Sequence, residues 1–168
     1  MADVTLDRLL RHEAWALRKM FAFLREQPES VLAMTAPNTG WDVAVLLAHI
    51  CSASMRYVQR IEGGPDPSVD PPDTHADLEV LEGRVLAAAE RLRALAAEGS
   101  DADVVESDEK GTYRYPRSVV LAQAIYHAIE HRAQLFGVLT ANGITSTNLD
   151  DLDHWVFGDA EGVMTTER

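Results

Sequence analysis

Ile125-Tyr126-His127-Ala128-Ile129-Glu130-His131-Arg132-Ala133-Gln134 is the stretch on which the reading of this chain turns. Around it, Leu121, Ile125, Ile129, Phe136 and Leu139 recur at helical spacing, which predicts a helix from about Pro116 to Asn142. Proline suits a first helical turn, and Asn142-Gly143 supplies a stop. Val120, Ala124, Val138 and the two histidines form a second face, and a helix apolar nearly all round is expected to be central. His127 and His131 are four residues apart. On a helix that is about 40° of rotation and roughly 6 Å of rise, so both imidazoles project from one side. Such a pair can converge on one ion, as in the zincin motif. Such pairs also arise by chance, and two ligands do not make a site.

Outward from this helix, three more segments carry the same periodicity. One runs from about Asp3 to Gln27, with Leu6, Leu10, Leu17, Met20, Phe21 and Leu24 on one stripe and Pro28 as its end. A second runs from about Trp41 to Glu62. Asn38-Thr39-Gly40 precedes it, Thr39 with Asp42 approximates a capping box, and Gly63-Gly64-Pro65 stops it. The third runs from about Asp73 to Glu98 on the stripe Leu78, Leu81, Val85, Ala89, Leu92 and Leu95, ending at Gly99. Residues 100–115 are polar, and the flanks of Glu109-Lys110-Gly111 suit a short hairpin. The tail Asp150–Phe157 suits a short helix packing Leu152, Trp155 and Val156, and Thr165–Arg168 is expected to fray. The expected fold class is all-α: an up-and-down four-helix bundle with a short C-terminal helical tail, one domain over residues 1–168 with its core at about 5–157.

The third histidine is sought among the remaining four. His49, in Leu46-Leu47-Ala48-His49-Ile50, sits mid-helix among apolar neighbours, where an unbonded imidazole would be unfavourable. An ion shared by His49, His127 and His131 would resolve that for all three, although a lone helical histidine is more commonly a satisfied core or surface residue. Neutral imidazole suits zinc, nickel, copper or iron, and three protein ligands leave a position for water or substrate. His12 and His75 are expected at solvated positions. His154 is a candidate fourth ligand if the tail folds over the bundle mouth. Gln134 lies on the histidine side and can orient a ligand or a water. Glu130 is about 100° away from His131 on the helix and is expected to face elsewhere. Arg132 suits a surface ion pair better than substrate attraction. Cys51, about 200° round the helix from His49, is expected to be a buried, inert thiol. Trp15, Trp41 and Trp155 suit core or interface positions better than a pocket wall.

Composition narrows the class. The 168 residues include 15 Lys+Arg against 27 Asp+Glu, a net charge of −12. That excess disfavours nucleic acid and anionic membrane surfaces. One cysteine allows neither an internal disulfide nor a thiolate-rich zinc site. No signal-like N-terminus or long apolar run is present, so cytoplasmic residence is expected.

These residues together resemble the DinB/YfiT-like superfamily of metalloenzymes. The matching pieces are His12-Glu13-Ala14-Trp15-Ala16-Leu17, the Gly40-Trp41-Asp42 entry, Leu47-Ala48-His49-Ile50, His127-x-x-x-His131-Arg132-Ala133-Gln134, Asn142-Gly143-Ile144 and the closing Asp151-Leu152-Asp153-His154-Trp155. Ala133 stands where the family often has glycine, a small residue for a small residue. The resemblance spans roughly residues 5–157. It implies a four-helix bundle of unusual connectivity, a divalent metal (zinc or nickel first, iron or manganese next) on His49, His127 and His131, and a homodimer. Relatives include bacillithiol S-transferases and mycothiol-dependent maleylpyruvate isomerases, so it also implies a small-molecule substrate and a low-molecular-weight thiol as partner. A metal-dependent hydrolase, a non-catalytic ligand-binding or stress-linked dimer braced by metal, and a metal-free scaffold are the alternative functions.

Overall fold

Short polar side chains start most of the helices. In the computed structural model, which describes residues 3–37 and 40–164, Asp3 caps α1 (Val4–Arg25) by accepting from the Thr5 and Leu6 amides. Asp42 caps α2 (Val43–Glu62) through the Val45 amide at 2.8 Å. Thr74 and Asp77 form a reciprocal capping box at the start of α3 (His75–Ala97). The expected box of Thr39 with Asp42, like the expected fraying of 165–168, falls on residues outside those described. Gly63, with φ 82°, occupies the C-cap of α2, a conformation side chains disfavour.

The expected hairpin is present. Strand β1 (Asp103–Asp108) pairs antiparallel with β2 (Gly111–Pro116), Val104 opposite Tyr115. Val104 is buried against the helices, while Glu106 pairs with Arg60 of α2 and accepts from the Tyr115 hydroxyl. The hairpin leads into α4 (Arg117–Ala141) through Pro116, which sits at the N-cap rather than inside the first turn.

The four long helices pack in a circuit, and α2 and α3 run in the same direction, Cys51 meeting Leu81 and Glu62 meeting Arg91, so the expected up-and-down order does not hold. α1 packs on α3, α3 on α2 and α2 on α4, whereas α4 touches α1 lightly. The tail occupies that open seam: a 3₁₀ turn (Leu149–Leu152), capped by Asn148 and Asp151, precedes α5 (His154–Ala160), capped by Asp153. Leu152 and Phe157 are the tail's buried anchors. Trp155 and Val156, expected to pack, are exposed, because a seven-residue helix lying on a surface buries one narrow stripe and Phe157 holds it. A further 3₁₀ turn at Glu29–Ala33 buries Val31 and Leu32 beneath the α1–α2 connection.

The core runs through Leu17, Met20 and Phe21 of α1, Leu46, Leu47 and Ile50 of α2, Leu78 of α3 and Leu135, Val138 and Leu139 of α4, all essentially inaccessible. The apolar residues of both faces expected of α4 are buried except Ile129, and Val119 and Tyr126, outside those faces, are exposed with it. No helix of the described residues is long and apolar enough to cross a membrane.

Candidate metal centre

α2 and α4 face one another, and their packing decides where the histidines meet. His49 comes from the middle of α2, and His127 and His131 come from successive turns of α4. Their nearest candidate ligand nitrogens lie within 4.8 Å of one another. His49 Nε2 is 3.0 Å from His127 Nε2, and the rings of His49 and His127 lie 4.4 and 4.3 Å, centroid to centroid, from that of His131. All three are half-buried.

The surroundings keep the His49 and His127 rings neutral. Burial is the main cause that lowers the His127 pKa, to about 4, and the neighbouring His131 and His49 add repulsion. His49 is lowered for the same leading reason, with His131 and Arg56 contributing. A neutral imidazole has a lone pair to offer; an imidazolium does not. His131 Nδ1 lies 2.8 Å from Gln134 Oε1, which can only accept, so Nδ1 carries the proton and Nε2 keeps its lone pair. Gln134 sits one turn beyond His131 on the same face, so the sequence placed it correctly, but it orients a histidine rather than a ligand or a water.

Aromatic rings wall the cluster. Trp41 stacks on His131 at 5.9 Å and lies 4.8 Å from His49, while Tyr57 presents its edge to His127 at 5.7 Å. Trp41 is 38% exposed, so it forms the rim rather than core. Its place next to Asp42, the α2 cap, is what swings it over the site. The donor set fits a borderline divalent ion: three imidazole nitrogens and no competing thiolate or carboxylate in the group, with two Nε2 atoms near the roughly 3.3 Å separation that tetrahedral bonds of about 2.0–2.1 Å would impose.

Several sequence expectations are corrected. His12 is buried, not solvated: its Nε2 donates to the Leu152 carbonyl at 2.6 Å, and burial lowers its pKa to about 4. His154 stacks on His12 at 3.8 Å and so belongs to the tail contact, not to the three-histidine group. His75 is half-buried, with Nε2 enclosed. Arg132 is the largest departure. It is 3% exposed and donates to Glu13 Oε1 of α1 at 2.6 Å. No pairwise spacing signals this contact, because Glu13 and Arg132 are joined by tertiary packing alone. Glu130 is exposed, and Cys51 is a buried thiol whose pKa burial raises to about 11, both as the helical angles implied. Trp15 packs on His12 and Phe157.

No curated protein matches the chain. A family model does: the one described as the DinB family matches residues 1–160. That match covers all four long helices, the hairpin and α5, and its superfamily is one of metal-binding proteins. With the three histidines brought together at the α2–α4 contact, the chain belongs to the DinB family.

Proposed function

We propose that this protein is a divalent-metal-dependent enzyme built on a four-helix bundle, with His49, His127 and His131 as the ligands and a low-molecular-weight thiol as cosubstrate, whose sulfur it transfers to an electrophilic small molecule. The observation that carries the reading is the convergence of three imidazoles beneath a partly exposed tryptophan. Three protein ligands with an open position characterise catalytic rather than structural sites. Zinc or nickel suits the nitrogen set, ahead of iron or manganese.

A bound ion would supply Lewis acidity, lowering the pKa of a thiol so that it reacts as thiolate at neutral pH. The chain's own residues have separate tasks. Burial keeps His49 and His127 deprotonated. Gln134 Oε1 holds the His131 proton on Nδ1. Trp41 and Tyr57 narrow the approach and limit water beside the rings. Arg56, close enough to depress both His49 and His127, places positive charge where an anionic sulfur nucleophile would approach.

The reading extends to quaternary structure and compartment. Val119, Tyr126 and Ile129 leave an apolar strip on α4 that a second copy would cover, making a homodimer. A cytoplasmic setting agrees with a lone buried free thiol and with the reducing conditions low-molecular-weight thiols require.

The test is elemental analysis of untagged protein beside His127→Ala and His131→Ala, followed by a thiol-conjugation screen with several small thiols and one electrophile. The expected result is near-stoichiometric metal in the parent, loss in both variants, and turnover that stops on chelation. Equal metal in all three proteins removes the site; turnover that survives metal removal removes the mechanism.

A further inference from the structure

α2 has a second functional-looking side. Met55 and Val58 are turned from His49 by about 120° and 180° round the helix. With Ala87 and Ala88 of α3 they line a cavity of about 570 Å³ bordered by the Gly63–Pro67 loop. That volume lies in the range of small-molecule sites, and its walls are mainly apolar. The border is preformed: Arg56 Nε donates to Asp66 at 2.8 Å, Gln59 donates to the Gly64 carbonyl at 2.9 Å, and Pro65 and Pro67 stiffen the loop.

Charge selects the ligand. Of the carboxylates on the cavity, Glu62 is bonded to Arg91 and Asp66 to Arg56. Arg84, also on the cavity, enters no ion pair or hydrogen bond among the described residues. Its guanidinium therefore stands beside an apolar wall with no carboxylate of the described residues bonded to it. A cation would be repelled by Arg84, and with Glu62 and Asp66 already paired to Arg91 and Arg56, Arg84 is the one lining charge left to bind an anion. One negative charge on an apolar body meets both conditions.

We propose that this cavity is a second ligand site, separate from the histidine centre, for a small amphipathic monocarboxylate whose chain lies along Met55, Val58 and Ala88 and whose carboxylate pairs with Arg84. Arginine matches a carboxylate with two parallel N–H donors, which fixes the head while the apolar wall holds the chain.

Isothermal titration of metal-free protein in EDTA with decanoate, below its micelle concentration, tests this. Saturable one-site binding is expected, tighter for decanoate than for octanoate because each buried methylene strengthens it severalfold. Arg84→Gln is expected to weaken decanoate about tenfold or more through loss of a charge-assisted hydrogen bond. Ala87→Trp, at an exposed position where an indole fills the cavity without entering the core, is expected to abolish binding. His127→Ala is expected to bind as the parent does. Absence of saturable binding, parent-like affinity in Arg84→Gln or Ala87→Trp, or loss of binding in His127→Ala would each overturn the proposal; the last would put the carboxylate at the histidines instead.

Discussion

Replacing Glu13 by Leu should be among the most damaging single changes outside the apolar core. Arg132 is 3% exposed, and Glu13 is its one ion-pair partner among the described residues, at 2.6 Å. Removing the carboxylate leaves a guanidinium enclosed between α1 and α4 with its charge uncompensated. Breaking a buried pair from one side costs about 3–5 kcal/mol. The reverse change, Arg132→Met, strands a carboxylate whose second oxygen already lacks a partner, and should cost a similar amount at pH 7. With both made together no buried charge remains, so the double variant should lie within about 2 kcal/mol of the parent, a coupling of at least about 3 kcal/mol. Urea unfolding reads this directly. For an m-value of about 2 kcal/mol/M, each single variant should lose roughly 2 M in midpoint while the double variant largely recovers. Single variants that each lose under about 1 kcal/mol, with a double that simply adds them, would refute the argument and show the pair to be solvated.

Three other outcomes follow from particular contacts. The His12 pKa of about 4 lies below its usual 6.5, so the unfolded chain binds the proton first; stability should be fully present above pH 6.5 and fall as pH drops towards 4, by about 2 kcal/mol from this residue between pH 7 and 5, and His12→Phe should flatten that part of the profile measured by urea unfolding. Gln134→Leu frees the His131 tautomer and should weaken metal binding about 10- to 100-fold in competition with a chromogenic chelator, while Gln134→Glu, which still accepts from Nδ1, should not; equal affinities would deny Gln134 a positioning role. Phe157→Ala should destabilise by about 3 kcal/mol or more and Trp155→Ser by less than about 0.5 kcal/mol, a contrast thermal unfolding can resolve.

The helices were legible because their causes are local. Apolar spacing, proline and glycine stops, and Thr74 with Asp77 act within a few residues, and the observed bounds differ from the expected ones by a residue or two. The tail was read less well: its helix was visible, but which side faced the seam depended on the surface beneath it. Phe157, adjacent in sequence to exposed Val156, differs from it only by 100° of helix rotation. The burial of His12 had no local signal either, since its partner, the Leu152 carbonyl, is 140 residues away.

By itself the sequence determined that the chain is helical, that His127 and His131 share a face, and that Cys51 turns away from His49, because helix geometry ties spacing to direction. Only the tertiary structure decided that His49 meets that pair, that Gln134 bonds to His131, and that Arg132 is buried on Glu13 rather than paired at the surface. Those relations depend on how α2, α4 and α1 are set against one another, and interhelical packing is fixed by the whole core at once, not by any local run of residues.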